Sequence, residues 1–178
     1  MAMTNLEMLG ARAKAASRVL MTAPTATKNA ALEAAAQALE AQTSAILAAN
    51  EKDLAAAKEA GMASAMLDRL ALSKERIRGI ADGVREVADL PDPVGAVLSE
   101  TVRPNGLKIQ KVSVPLGVIA VIFEARPNVS ADAAALCLKS GNAVLLRGGK
   151  EAIRSNTAIV AAMRGALEKR GCPPTASA

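Results

Sequence analysis

Two apolar runs decide the fold of this chain: Gly117-Val-Ile-Ala-Val-Ile-Phe123 and Asn142-Ala-Val-Leu-Leu-Arg147. Continuous runs of this kind, rich in β-branched residues, are typical of strands that are covered on both faces. An alanine-rich helix pattern near residues 130–140 lies between them, and another helix pattern follows at residues 151–170. The order strand, helix, strand, helix predicts a βαβα unit whose two parallel strands are joined by a right-handed crossover.

The ends of these two helices carry recognisable signals. Asn128 or Ser130 is a candidate cap for the first helix, because both side chains can accept a hydrogen bond from the first turn. Gly141 is expected to end that helix, and Gly171 followed by Pro173-Pro174 is expected to end the second.

The first ninety residues read as helices, since they are rich in alanine, the strongest helix former. Leu32, Leu39 and Ile46 recur every seven residues and form one apolar stripe. The stripe predicts one helix, with Thr27 as a candidate cap and Gly61 as its end.

A further helix is predicted from Ser73 to about Leu90, where Pro91-Asp-Pro93 ends it. Apolar and polar residues then alternate on both sides of Pro104-Asn-Gly106. This pattern predicts a β-hairpin, within residues 93–114, with one face in solvent.

These patterns predict an α/β chain in three parts: helices over residues 1–92, the hairpin over 93–114 and the βαβα unit over 115–178. Two parallel strands do not make a finished sheet, because both need neighbours to bury them. We therefore expect the fold to be incomplete within these 178 residues.

Composition excludes some classes of protein. The longest uncharged apolar stretch, Val114–Phe123, has about half the length that a bilayer-spanning helix needs. The first twenty residues have neither an apolar core nor a small-residue cleavage site, so no signal peptide is expected. We therefore expect a soluble, cytoplasmic protein without a membrane partner.

Charge is unevenly distributed along the chain. Residues 1–100 hold 11 basic and 13 acidic side chains, whereas residues 101–178 hold 11 basic and 4 acidic ones. A basic half indicates an anionic ligand such as a phosphate ester, a nucleotide or a nucleic acid. Nucleic acid is the weaker choice, because the chain has one Phe and no Trp or Tyr to stack on bases.

Two cysteines and no histidine limit the chemistry. Neither Cys137 nor Cys172 has a metal-ligand spacing, and we expect no metal site. No Ser-His or Cys-His pair can form within the chain. Cys137 lies in an apolar helix pattern, where a buried and inert thiol is the favoured interpretation.

The residues after the two predicted strands are the candidate site, because ligands of open α/β sheets bind beyond the carboxyl ends of the strands. These residues are Glu124-Ala-Arg-Pro-Asn128 and Arg147-Gly-Gly-Lys150. The second segment joins two glycines to two cations and a helix start, which favours an anion. It matches neither GxGxxG nor the P-loop pattern, so on spacing alone an ordinary strand-to-helix turn is favoured over a nucleotide site.

The segments from Val114 to Val129 and from Ala133 to Ala152 closely resemble the γ-glutamyl phosphate reductase (glutamate-5-semialdehyde dehydrogenase) family of the aldehyde dehydrogenase superfamily. The likeness extends over nearly the whole chain, including Asn50-Glu-Lys-Asp-Leu54 and Leu70-Ala-Leu-Ser73, and fades at residues 174–178. Other aldehyde dehydrogenases carry different residues in both strand-end turns, so the resemblance is specific.

The resemblance implies an aldehyde-dehydrogenase-like fold and the reduction of L-glutamyl 5-phosphate by NADPH to L-glutamate 5-semialdehyde and phosphate, a step of proline biosynthesis. In this family a cysteine thiolate displaces phosphate to form a thioester, which is then reduced. The implied partners are the substrate L-glutamyl 5-phosphate, glutamate 5-kinase through functional coupling, and identical subunits of a homo-oligomer. Residues 1–92 and 115–178 would belong to the NADP-binding domain, and residues 93–114 would be its bridging and oligomerisation hairpin.

The resemblance also implies roles for individual residues of this chain, at the positions that match the family. Asn128 matches the superfamily asparagine whose amide holds the developing oxyanion, a contact typically worth about 3–4 kcal/mol of barrier. Lys150 stands where NAD-preferring relatives carry a glutamate, so a cation there favours the 2′-phosphate of NADPH. The residues implied to contact NADP(H) are Ala125, Arg126, Pro127, Arg147, Gly148, Gly149 and Lys150.

The family's nucleophilic cysteine belongs to a later segment, which these residues do not include, so we expect them to be inactive alone. Two other functions stay open from the residues. One is a non-catalytic assembly or scaffold module built on the same fold, and the other is a basic nucleic-acid-binding protein.

Overall fold

The structure, a computed structural model, describes residues 4–172. Its elements in chain order are α1 (Asn5–Leu20), α2 (Thr25–Ala41), α3 (Thr43–Glu59), α4 (Ser64–Leu70), α5 (Lys74–Asp89), β1 (Val97–Val102), β2 (Lys108–Val112), β3 (Val118–Ile122), α6 (Asn128–Lys139), β4 (Ala143–Arg147), a 3-10 turn (Lys150–Ala152) and α7 (Ile153–Lys169). The predicted α/β class and the predicted strand, helix, strand, helix order of the C-terminal unit (β3, α6, β4, α7) are confirmed. Pro173-Pro174, predicted to follow the last helix, lies outside the described residues. No helix of residues 4–172 is both long enough and apolar enough to cross a membrane.

The prediction of one long helix through Leu32, Leu39 and Ile46 is wrong, because the chain forms two helices that meet at Gln42. The backbone of Gln42, with φ −100° and ψ 14°, ends α2 and begins α3. The hydroxyl of Thr43 donates to the carbonyl oxygen of Glu40 at 2.7 Å and so ties the corner together. All three stripe residues are nevertheless buried, because both helices turn their apolar faces to one core.

The predicted helix ends differ in outcome. Thr27 does not cap α2, which begins at Thr25 without a side-chain cap. Ser73 does cap α5, since its hydroxyl accepts a hydrogen bond from the amide of Arg76 at 3.1 Å. Gly61 follows α3 with φ 72°, the left-handed conformation that glycine adopts without strain.

The N-terminal helices and the βαβα unit share one core. Helix α2 packs against α5 and α7, and α5 packs against α6. Leu39, Ala81, Leu138 and Ile159 are all buried within this core. The helices of residues 5–89 are therefore the support on which the two βα units rest.

Two buried lysines join these helices. The ammonium group of Lys139, on α6, donates to Asn29 Oδ1 and to the carbonyl oxygen of Ala88, both at 2.7 Å. Lys28 Nζ lies 2.5 Å from Asp92 Oδ2. Because a buried ammonium group without partners is costly, the contacts of Lys139 fix α6 on α2 and on the end of α5. The contact of Lys28 ties α2 to the segment that follows α5.

The predicted hairpin is present. Strands β1 and β2 are antiparallel, with Val102 opposite Lys108, and Gly106 at φ 81° closes the turn. Every residue of both strands is exposed, so among residues 4–172 neither face of the hairpin is covered, whereas the pattern predicted one face in solvent. Apolar side chains such as Leu98, 61% exposed, therefore face solvent.

Strands β3 and β4 pair in parallel, as predicted. Only β4 is well buried, because α1 and α6 both pack against it. The expectation that both strands are covered on both faces fails for β3, where Ile122 is 82% exposed. The physical reason is that β3 touches few side chains besides those of β4 and α1.

Candidate functional site

The turns that follow β3 and β4 lie side by side, as the parallel order predicts. Ile122 pairs with Arg147 in the ladder, and the amide of Phe123 donates to the carbonyl oxygen of Arg147 at 3.0 Å. The strand register therefore brings the Glu124–Asn128 turn next to the Arg147–Lys150 turn.

Asn128 is the first residue of α6, and its side chain is exposed. Its amide Nδ2 donates to Asp132 Oδ2 at 3.0 Å, one helical turn further along. The predicted cap is therefore wrong: neither Asn128 nor Ser130 caps α6, and the Ser130 hydroxyl donates to the carbonyl oxygen of Pro127 at 2.6 Å. An amide nitrogen has two protons, so one N–H of Asn128 stays available to a ligand.

A cleft of about 550 Å³ opens beside Asn128. Its walls come from the start of α6 and from the α4–α5 region, which contributes Arg69 and Arg76. Ligand-binding clefts in proteins have volumes of roughly 300–1,000 Å³, so this space suits a small metabolite. The cleft also receives Arg126 from the turn after β3.

Asp132 lies half-buried in this cleft. Burial raises the pKa of Asp132, and the hydrogen bond from Asn128 opposes that effect. Perturbed pKa values are frequent in functional sites, so Asp132 supports this cleft as a candidate site.

The turn after β4 presents two cations. Arg147 and Lys150 are both exposed, and within residues 4–172 neither side chain forms a hydrogen bond or an ion pair. Free cations beside a strand end are available to an anionic ligand.

Internal packing explains one of the two glycines of this turn. A Cβ on Gly148 would collide with the buried amide of Asn156, whereas a Cβ on Gly149 would meet only the carboxylate end of the flexible Glu151 side chain, which can move aside. Neither glycine has positive φ, so the backbone conformation alone does not require glycine here. Gly148 thus leaves room for a polar side chain, Asn156, that sequence reasoning missed.

Asn156 is 7% exposed, and its amide makes no hydrogen bond within the described residues. It lines a small cavity of about 20 Å³ together with Phe123 and Gly148. Because buried amides are normally hydrogen-bonded, Asn156 has unused hydrogen-bonding capacity beside this turn.

Sequence reasoning also missed the network that holds the start of α7. Asp53, on α3, accepts hydrogen bonds from the amide and the hydroxyl of Ser155, both at 2.7 Å, and lies 3.2 Å from the guanidinium of Arg154. Asn50 donates to Ser155 Oγ at 3.0 Å and accepts from the amide of Leu72 at 2.8 Å. The sequence pattern that could have indicated this network is the pair Asn50 and Asp53, two polar residues at helical spacing on the otherwise apolar face of α3.

Both cysteines are buried and free. Burial raises the pKa of the Cys137 thiol and of the Cys172 thiol, which disfavours the reactive thiolate. The expectation that Cys137 is buried is confirmed. In residues 4–172 there is also no group of three or more Cys, Asp or Glu side chains arranged to hold a metal ion.

The fold is of the aldehyde dehydrogenase class, as predicted. The structure of a probable aldehyde dehydrogenase from Listeria monocytogenes superposes on 97% of this chain with a TM-score of 0.72 at 18% identity, over 35% of its own length. At this identity the likeness concerns the fold alone. No protein-family model matches the chain.

More specific similarity points to one enzyme of that class. The crystal structure of γ-glutamyl phosphate reductase from Thermotoga maritima matches 98% of this chain with a TM-score of 0.95 and 41% identity, over 42% of its own length. The γ-glutamyl phosphate reductase of Xanthomonas axonopodis pv. citri is 56% identical over 171 residues, which are 96% of this chain and 41% of that protein. The predicted resemblance is confirmed, and the chain spans about two fifths of the length of the curated relatives it matches.

Proposed function

We propose that this chain is the cofactor-binding and oxyanion-stabilising part of an NADPH-dependent reductase of L-glutamyl 5-phosphate. The products would be L-glutamate 5-semialdehyde and phosphate, in proline biosynthesis. The observation that carries the proposal is the 56% identity to a γ-glutamyl phosphate reductase across 96% of the chain.

The residues of the second turn fit a phosphorylated nucleotide. Arg147 and Lys150 are unpaired cations, and Asn156 offers a buried amide against Gly148. Glu151 lies over Gly149 and is the one acid of this turn, so the cations must outweigh it for a 2′-phosphate to bind. Ala125 and Pro127, both buried, would form the wall of the first turn, and the bound cofactor would supply the hydride.

Asn128 is the residue of this chain that would act on the reacting carbonyl. Its amide is held by Asp132 at 3.0 Å, so the second N–H is directed before a substrate arrives. A donor placed in advance stabilises the negative charge that develops on the carbonyl oxygen in the transition state.

The thiolate that attacks the acyl phosphate must come from elsewhere. Cys137 is 6% exposed and Cys172 is 2% exposed, and burial raises the pKa of both thiols. A thiolate nucleophile requires the opposite conditions, namely access and a lowered pKa. We therefore assign neither cysteine to the reaction.

A chimeric reductase tests this proposal: the chain replaces the aligned segment of the Xanthomonas axonopodis relative. We expect NADPH oxidation that depends on L-glutamyl 5-phosphate. The unaltered relative is the positive control, and circular dichroism reports whether the chimera is folded. A folded chimera without turnover, under conditions where the control is active, would contradict the proposed function.

An assembly module is the second candidate, because both strands of the hairpin are exposed and carry apolar side chains. In that case the chain would self-associate, while the chimera would be folded and inactive. Sedimentation of the chain and the chimera assay together separate the two functions.

A further inference from the structure

We propose that the cleft beside Asn128 binds the α-amino-acid end of the substrate, with Arg69 and Arg126 on its α-carboxylate and Asp132 on its α-ammonium group. This inference rests on the proposed function, because it concerns the substrate of that same site. It gives Arg126 a different role from the cofactor contact that the family resemblance implies.

The arginines of this cleft differ in what they already bind. Arg76 donates to the carbonyl oxygens of Asp68 and Ala71 at 2.6 and 2.7 Å, and pairs with the Asp68 carboxylate at 3.1 Å. Arg69 and Arg126 line the same cleft, yet within residues 4–172 neither guanidinium has a hydrogen bond or an ion pair. Arg76 is therefore part of the scaffold, and the other two are available to a carboxylate.

Acidic neighbours do not cancel these two cations. Glu124 lies with Arg69 and Arg126 around a cavity of about 10 Å³ but forms an ion pair with neither. The Asp68 carboxylate is already paired with Arg76.

Asp132 supplies the opposite charge in the same cleft. Its Oδ2 accepts from the Asn128 amide at 3.0 Å, and its Oδ1 has no partner among the described residues. A carboxylate can accept several hydrogen bonds, so Asp132 can also accept from an ammonium group. Two guanidinium groups and one carboxylate on the walls of one cleft complement a zwitterion, whereas a simple anion would use only the arginines.

The spacing along α6 fits an acyl group of this length. Asn128 and Asp132 lie one helical turn apart, and Asn128 Nδ2 is 3.0 Å from Asp132 Oδ2. In a glutamyl group three carbon–carbon bonds separate the reacting carbonyl carbon from the α-carbon, roughly 4 Å when extended. A substrate whose carbonyl meets the free N–H of Asn128 can therefore place its α-substituents beside Asp132 and the two arginines.

The experiment compares L-glutamyl 5-phosphate with butyryl phosphate, which lacks both α-substituents, in the chimeric reductase. We expect Arg69→Ala and Arg126→Ala each to raise KM for L-glutamyl 5-phosphate about tenfold or more, because charge-assisted hydrogen bonds are lost. KM for butyryl phosphate and KM for NADPH should not change. Arg78→Ala is the matched control, since Arg78 is an exposed arginine of α5 that does not line the cleft.

A third substrate isolates the ammonium contact. Glutaryl phosphate keeps the distal carboxylate and lacks the ammonium group. Asp132→Asn should therefore raise KM for L-glutamyl 5-phosphate and leave KM for glutaryl phosphate unchanged, whereas kcat changes equally for both through Asn128. Equal changes in KM for both substrates would remove Asp132 from the proposed contact.

Three results would overturn the arginine assignment. An equal rise in KM for L-glutamyl and butyryl phosphate would mean that the arginines bind the phosphate. A rise in KM for NADPH with Arg126→Ala would return that residue to the cofactor. Unchanged KM values for all substrates would mean that neither arginine takes part.

Failure of the proposed function gives a different result, namely a folded chimera that turns over neither acyl phosphate. The cleft is then tested by titrating L-glutamate into the ¹⁵N-labelled 178-residue chain. Shifts of amides around Arg69 and Arg126 that disappear in both alanine variants would support the site. An absence of such shifts in the wild-type chain would overturn it.

Discussion

The buried charged side chains of the helical core have hydrogen-bond or ion-pair partners within the protein, whereas the basic side chains at the strand ends have none among residues 4–172. On the helices, Asp53 and Lys139 are almost fully buried and every one of their charged groups has partners within 3.2 Å. At the strand ends, Arg126, Arg147 and Lys150 are exposed, and their side chains have no partners among residues 4–172.

This difference separates residues that stabilise the fold from residues that are available to bind a ligand. A buried charge is tolerated only when its hydrogen bonds are made within the protein, so it contributes to the fold and has nothing left for a ligand. An unpaired charge beside a cleft costs little in the free protein and is available for binding. The following predictions test whether the two groups of residues divide in this way.

The largest effect is expected for Asn128→Ala at the strand end. In the chimeric reductase kcat should fall by about 10²–10³, because an oxyanion donor is lost. The free energy of unfolding of the 178-residue chain, measured with urea, should change by less than about 0.5 kcal/mol, since the side chain is exposed. If Asn128→Ala lowered the free energy of unfolding by as much as it raised the activation free energy, Asn128 would be a structural residue.

Asp53→Ala should show the reverse pattern. Loss of the carboxylate leaves the amide and hydroxyl of Ser155 and the charge of Arg154 without their acceptor. We expect urea denaturation to show a loss of about 3 kcal/mol in the free energy of unfolding. Asp68→Ala removes a salt bridge from a carboxylate that is 76% exposed, and should cost less than about 1 kcal/mol. Equal losses for the two variants would mean that the network around Asp53 is not specially stabilising.

Lys150→Glu tests the cofactor turn. The 2′-phosphate of NADPH should gain charge-assisted hydrogen bonds from Lys150, which NADH cannot make. The ratio of kcat/KM for NADPH to that for NADH should therefore fall well beyond threefold in the chimeric reductase, mainly through KM. Arg147→Ala should weaken both cofactors. A change in the ratio below about threefold, which is less than 1 kcal/mol, would show that Lys150 does not contact the phosphate.

The smallest effect concerns Asp132 and pH. Burial raises the pKa of Asp132 above its ordinary 3.8, so the folded chain binds this proton more tightly than the unfolded chain does. As pH falls through the folded pKa, the wild type should gain stability relative to Asp132→Asn, and the gain should level off below the unfolded pKa. Urea midpoints of both proteins between about pH 7 and pH 3 provide the measurement. A difference that does not depend on pH would mean that burial does not perturb Asp132.

Local patterns predicted the elements better than their junctions. The runs 117–123 and 142–147 became strands, and Ser73 capped its helix, because strand formation and helix capping depend mainly on neighbouring residues. The corner at Gln42 was missed, since a heptad of apolar residues fits one long helix as well as two helices that share a core. Asn128 was predicted as a cap and instead bonds Asp132, a choice between two local partners that spacing does not settle.

By itself the sequence determined the α/β class, the order of strands and helices, the resemblance to the reductase family and the position of Asn128 at a strand end. Hydrophobic periodicity, turn residues and sequence motifs are properties of short segments, so they can be recognised from the sequence alone. Only the tertiary structure decided which polar residues are structural: Asp53 meets Ser155 across 102 positions in the chain, and Lys139 meets Asn29 across 110. It also placed Arg69 in one cleft with Arg126, because contacts between distant segments depend on how the helices pack, which local patterns leave undetermined.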